Sequence, residues 1–298
     1  MSVARTSSAR EAWKRIETIH AVVYFTDDVI AAAKAIGLRG FWMGYFGVRA
    51  APLGAVAAGP VEASFANFAP AMVRRSLPDA WSYADPADVI EMRARAAAAA
   101  LRRLDPGIDA AARRVNEPLA RVVAACPSIG RPLFAANRDV ASFDDPVAQL
   151  WQHCTSLREH RGDGHVLALA ASGVDGCEAH LLLIADQGLP VEVIRDNRGW
   201  TDEQWNAAGE RLANRGLLDH DELSEAGARL RSDVEDLTDA LAHTPFMRAL
   251  GAAGTDELIE ALSPSAHAIA RSGEIPYPNP MGLPRLGRTS GSSATAIP

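Results

Sequence analysis

Cysteine, lysine and long apolar runs are what this 298-residue chain has least of. Its cysteines, Cys126, Cys154 and Cys177, are odd in number and lack CxxC spacing. That excludes a disulfide framework or a zinc knuckle and predicts reduced, buried small hydrophobes. Lysine occurs only at Lys14 and Lys34 among abundant Ala and Arg, a coding bias of GC-rich genomes and not a function. No window approaches eighteen uninterrupted apolar residues and the start, MSVARTSSAREAWKRIE, has no apolar signal core, so a cytoplasmic protein without a membrane span is expected. No Ser stands in GxSxG and no Cys stands beside a plausible catalytic base. The Gly-rich pieces Gly162-Asp-Gly164 and Gly173-Val-Asp-Gly176 follow no strand, which argues against a nucleotide cradle. Net positive charge is missing too: −7 at pH 7 gives no global attraction to nucleic acid.

What is present is helical periodicity. Ala-rich segments are cut by Gly, Pro and Asp, with few alternating β-branched runs, and the 48% hydrophobic content is enough for a large core. Helices are expected over residues 8–24, from the caps Thr26 to Asp28 up to Gly37, over 40–49 and over 59–75. Asp85-Pro86 caps another that runs to Leu104, because an N-cap carboxylate followed by proline opens a helix. The second half expects helices from about Pro146 to Arg161, over 175–185, from the Thr201–Gln204 capping box to about Gly216, from Ser224 onward and over 256–271, with a polar connector at 187–199. Residues 217–223, LLDHDEL, read as a short hairpin. Leu230, Val234, Leu237 and Leu241 follow at heptad-like spacing and suggest a homodimer helix.

Two weak copies of one order of landmarks run through the chain. Trp42 precedes Arg49 by seven residues, with Gly59, Glu62-Ala63, Trp81 and a capped helix following; Trp151 precedes Arg158 by seven, with Gly173, Glu178-Ala179, Trp200 and a capped helix following. The expected architecture is therefore mainly α. It consists of tandem, pseudo-duplicated winged helix-turn-helix-like halves with a short β wing: an N-terminal half over 1–140, a C-terminal half over 141–272, and an extended or disordered tail over 273–298.

The chemistry concentrates in WQHCTSLREHRGDGH, residues 151–165. Here the expected helix ends at Gly162-Asp163-Gly164, a turn that swings His165 back toward it. Three readings compete. His153, His160 and His165, with Asp163 between, offer imidazole and carboxylate ligands to a metal, although the spacing matches no standard motif and no cofactor is assigned. An acid–base site would use His160 and His165 oriented by Asp163, with Arg49 binding a carboxylate or developing oxyanion. His153, Arg158 and Arg161 would then form a charged wall, and Trp42, Tyr45 and Phe46 an aromatic wall, around a small organic molecule. A purely structural role, with arginines and acids stitching the halves together, is the third reading.

Residues 175–242 resemble a winged helix-turn-helix domain of the multiple-antibiotic-resistance regulator type. The resemblance rests on the helix DGCEAHLLLIA, the recognition-like helix TDEQWNAAGERLANRGLLD, and LSEAGARL closing a wing. With GYFGVRAAPLG and LREHRGDGH, the whole chain is similar to a helix-turn-helix family of actinobacteria. The resemblance implies a DNA-reading helix and wing, but the charges depart from that pattern. Residues 201–215 carry a net −1 and 216–229 a net −3, which repels phosphates and makes DNA a doubtful partner. The opposing observation is the segment 88–121, where Arg93, Arg95, Arg102, Arg103, Arg113, Arg114 and Arg121 outweigh the acids by two. The reading carried forward is a small-molecule-binding winged-helix derivative, catalytic or not, with DNA binding weakened or lost; a ligand-responsive transcription regulator and a structural or interaction protein are the alternatives.

Overall fold

A computed structural model describes residues 3–286, excepting the side chains of residues 3–7 and 9. It opens with α1 (Val3–His20), α2 (Val22–Phe25), α3 (Asp27–Ala35) and α4 (Gly40–Ala50). The helix expected over 59–75 is two short ones, α5 (Ala58–Ser64) and α6 (Pro70–Arg74), because the chain breaks at Phe65 and restarts on Pro70 at the first helical turn. Then come α7 (Pro86–Leu104), capped by the Asp85 carboxylate accepting from the Ala87 amide at 2.8 Å, α8 (Ile108–Ala125) and α9 (Pro132–Arg138).

The central element is α10 (Pro146–Ala171), 26 residues long. It packs against α1, α7, α8, α9 and the later helix α14 (Glu225–Ala249). The turn expected at Gly162-Asp163-Gly164 does not form: the helix runs through it for two more turns. Glycine costs about 1 kcal/mol against alanine inside a helix, and tertiary contact offsets that here. A Cβ at Gly164 would stand 3.5 Å from Arg131 and 3.8 Å from Leu241, ordinary contact distances, so neighbouring elements pack on α10 here without requiring glycine.

Beyond α10 the chain forms α11 (Gly176–Gln187), α12 (Val191–Arg195), α13 (Asp202–Asn214), the hairpin β1 (Leu218–Asp219) and β2 (Glu222–Leu223), then α14 (Glu225–Ala249) and α15 (Gly251–Arg271). Two capping boxes, Asp175 with Glu178 and Thr201 with Gln204, start α11 and α13, and Ser224 caps α14. The hairpin pairs Leu218 with Leu223 and Asp219 with Glu222. Helix, helix, helix, hairpin, helix is the order of a winged helix. Among the described residues strand occurs only in this hairpin, so the first half has no wing.

The large core runs from Ala12 in α1 to Ile275, joining residues before and after position 140; two smaller clusters lie under the hairpin and around Trp205. All three cysteines are buried and free. No single helix among the described residues is long and apolar enough to cross a membrane. The heptad-like stripe is largely used within the chain: Val234 is buried, Leu230 packs on the hairpin cluster, and only Leu237 stands exposed. From Pro276 to Leu286 the chain has no helix or strand but is anchored by the buried Ile275, Asn279 and Leu283; residues 287–298 of the expected tail lie outside the described residues.

Candidate functional site

The break after α5 brings residues 66–69 against the helix-turn-helix module. A Cβ on Gly176 would fall 1.7 Å from the Ala66 carbonyl oxygen, a contact only glycine permits. His180 and Trp200 each donate a ring N–H to the Asn67 carbonyl, at 2.9 and 3.3 Å, and the Ala69 amide donates to the Arg198 carbonyl at 2.9 Å. Beside this seam is a cavity of about 700 Å³, walled by α1, α4, α10, α11, α14 and the segment 277–285. That volume falls in the range of small-molecule sites.

Of the residues singled out from the sequence, Tyr45, Arg49, Arg158, Arg161 and His165 line this cavity. Arg49 and Arg158, each seven residues after a tryptophan, converge on one buried carboxylate. The Arg49 Nη2 donates to Glu159 at 3.1 and 3.2 Å, and the Arg158 Nη1 donates to Glu159 at 2.7 Å. Burial alone would raise the Glu159 pKa, but Arg158 and Arg49 hold it down to about 2, so it stays ionised. Arg49 also donates to the Tyr45 hydroxyl at 3.1 Å and lies 3.9 Å over the Phe65 ring. Arg161 pairs with the buried Asp239 at 2.9 Å and lies over Trp13.

His165 sits 3.1 Å from the Thr238 hydroxyl, whose single proton goes to the Val234 carbonyl at 2.7 Å. His165 Nδ1 must therefore donate, leaving Nε2 without a proton. Burial lowers its pKa to about 4, so the ring is neutral near pH 7.

The other predicted site residues do not reach the cavity. His160 is buried edge-on to Phe134, with ring centroids 4.9 Å apart, and burial lowers its pKa to about 3. Asp163 accepts the Phe134 amide at 2.9 Å and so ties α9 to α10; burial raises its pKa to about 7. His153 contacts the Gln149 amide nitrogen at 2.8 Å, and burial lowers its pKa to about 4. Trp42 and Phe46 pack behind Tyr45, against Phe68 and in the core. The expected meeting of His160, Asp163 and His165 depended on a turn. On a continuous helix, His160 and His165 are five residues apart and point about 140° away from each other. His153 and His160 share a face of the helix but stand seven residues, about 10 Å, apart along its axis, and no group of three candidate ligands gathers among the described residues.

The basic segment 88–121 is spent in part on internal contacts, while Arg95, Arg113 and Arg114 stay exposed. Arg93 is buried, bonded to Val48, Asn137 and Gln152; Arg102 pairs with Asp109 and Asp145, and Arg103 with Asp28 and Glu274. Arg211 in α13 and Arg215 at its C-terminal cap both turn to Glu178 at the start of α11, while Asp202, Glu203 and Glu210 face solvent.

Sequence reasoning missed Arg198, which lay inside the polar connector. It is buried against the Phe68 ring at 4.5 Å, and among the described residues its guanidinium donates only to the Asn197 and Pro280 carbonyls. Among the described residues it has no carboxylate partner, and burial lowers its pKa to about 10. In the sequence nothing distinguishes it from a surface arginine, since its burial depends on the distant segments 65–69 and 277–285.

Neither the curated proteins nor the solved structures supply a match to the chain. A sequence profile described as a helix-turn-helix family matches residues 9–276. With nearly the whole described chain inside that match, the protein belongs to this helix-turn-helix family.

Proposed function

We propose that the protein is a ligand-binding, regulator-like member of its helix-turn-helix family, with a small organic molecule held between the helical body and the winged-helix module. The observation that carries this reading is the cavity of about 700 Å³ at the seam, walled by Tyr45, Arg49, Arg158, Arg161 and His165 together with apolar groups of α11 and α14. The order from α11 to α14 and the segments RGLLD and LSEAG support a module of the multiple-antibiotic-resistance type. Its outward face argues for weakened DNA binding, because the recognition-like helix spends its arginines on Glu178 and exposes carboxylates.

The experiment is a fluorescence titration with N-phenyl-1-naphthylamine, a neutral probe, using the native chain and Leu183→Trp. Leu183 is half-buried on the cavity wall, so the larger ring fills ligand space. One saturable site in the native protein, lost in a variant that keeps its thermal unfolding transition, is expected; unsaturable binding, or equal binding by both, overturns the reading. Family membership favours a second reading, a DNA-binding regulator. Tight, salt-sensitive, sequence-selective retardation of genomic fragments would establish it over the first.

A further inference from the structure

The cavity is strongly cationic inside an acidic protein. Among the described residues its lining includes eight Arg and Lys side chains and four carboxylates, whereas the chain as a whole carries −7. Most of these charges are already matched. Arg10 and Arg161 share Asp239, Arg49 and Arg158 share Glu159, and Arg231 pairs with Asp186.

Arg198 differs. It is 5% exposed and has no carboxylate among the described residues, and its Nε has no hydrogen-bond partner. A buried guanidinium held only by neutral carbonyls is a large cost unless an anion completes it. Arg49 and Arg158 are near enough to act on it electrostatically, so the local field favours negative charge further. The same cavity has a continuous apolar wall of Val174, Leu182, Leu183, Leu230 and Val234.

Resting on the small-molecule reading above, we propose that the ligand is an organic monocarboxylate with an aliphatic or aromatic body, its carboxylate anchored by Arg198 and its body lying on the α11 and α14 wall. One buried uncompensated arginine calls for one negative charge; Arg285, which also lines the cavity and has no carboxylate partner among the described residues, is exposed to solvent. A dianionic phosphate ester would exceed it, and a neutral or cationic amphiphile would leave it unmet. The role of Arg198 is direct contact with the ligand.

The test is displacement of N-phenyl-1-naphthylamine by decanoate, 1-decanol, decylammonium and decyl phosphate, all below their micellar concentrations, on the native chain, Arg198→Met and Arg198→Lys. Decanoate is expected to bind at least tenfold tighter than decanol on the native chain. That preference should vanish in Arg198→Met, with decanol affinity kept, and persist in part in Arg198→Lys. Because each variant is judged by its own decanoate-to-decanol ratio, general loosening from the lost Pro280 contact affects both ligands and leaves the ratio readable. Equal binding of decanoate and decanol by the native chain, an unchanged ratio in Arg198→Met, or tighter binding of decyl phosphate overturns the inference. If the dye still binds in those cases, the cavity reading stands and only the carboxylate assignment falls. If neither dye nor any amphiphile binds, both fall.

Discussion

Glu159 stands between Arg49 and Arg158, all three within or beside a cavity wall, and its carboxylate is what lets two guanidiniums share that space. Replacing it by the isosteric amide, Glu159→Gln, leaves Arg49 buried without a countercharge and Arg158 with only Glu17, at 3.4 Å, which costs about 3–5 kcal/mol. Urea unfolding at pH 7 should show that loss; a change within about 0.5 kcal/mol, the range of ordinary surface substitutions, would mean the trio is not a structural necessity. At this scale the sequence was partly readable. Arg49 and Arg158 stood out through their shared spacing from Trp42 and Trp151, and both line the cavity. His160 and Asp163 stood out equally as polar residues but are spent on packing and on joining α9 to α10. Residue type marks a group as chemically able; only burial and partners decide how it is used.

At the scale of elements, α10 has the unusual property of holding three histidines uncharged. His153, His160 and His165 have pKa values lowered to about 4, 3 and 4 by burial, His180 in α11 is lowered to about 3, and His20 in α1 is well below 6.5. An unfolded chain takes up protons on these rings near pH 6.5, while the folded chain does not until about pH 4. The unfolded state binds more protons in that window, so stability falls as pH drops from about 6.5 toward 4. Asp163, raised to about 7 by burial, acts with the opposite sign between about 4 and 7, but it is one group against five. Unfolding free energies measured from pH 7.5 to 5 should therefore decline steadily, and His160→Phe should make the slope shallower by about one proton. A flat profile would contradict the buried, neutral state of these rings.

Helix boundaries were legible where a cap announced them. Asp85-Pro86, Thr201 with Gln204, and Ser224 all start helices as their side chains predict. Two boundaries were not. Gly162-Asp-Gly164 has the composition of a turn but lies in a helix that is packed there from outside: Asp163 accepts the Phe134 amide, and Arg131 and Leu241 stand over Gly164. Residues 59–75 have helical composition but break at 65–69 because that segment docks on Gly176 and His180. In both cases a contact distant in sequence overrode local preference.

For the whole molecule, the mainly helical architecture and the single hairpin followed from periodicity, whereas the cavity did not. Its walls come from α1, α4, α10, α11, α14 and the segment 277–285, and no one stretch carries its signature. The net charge gave the overall balance but hid the local one: an acidic exterior on α13 and the hairpin, and a cationic interior at the seam. Those two surfaces support the proposed ligand site at the seam and weigh against phosphate recognition by the recognition-like helix.

The most direct measurement is a crystal structure of the full chain grown with decanoate. The account predicts density for one ligand at the seam, with a carboxylate oxygen at about 3 Å, hydrogen-bond distance, from the Arg198 guanidinium, and the hydrocarbon against Leu182 and Leu183. A cavity that holds only water, or a decanoate bound elsewhere on the protein, would contradict it.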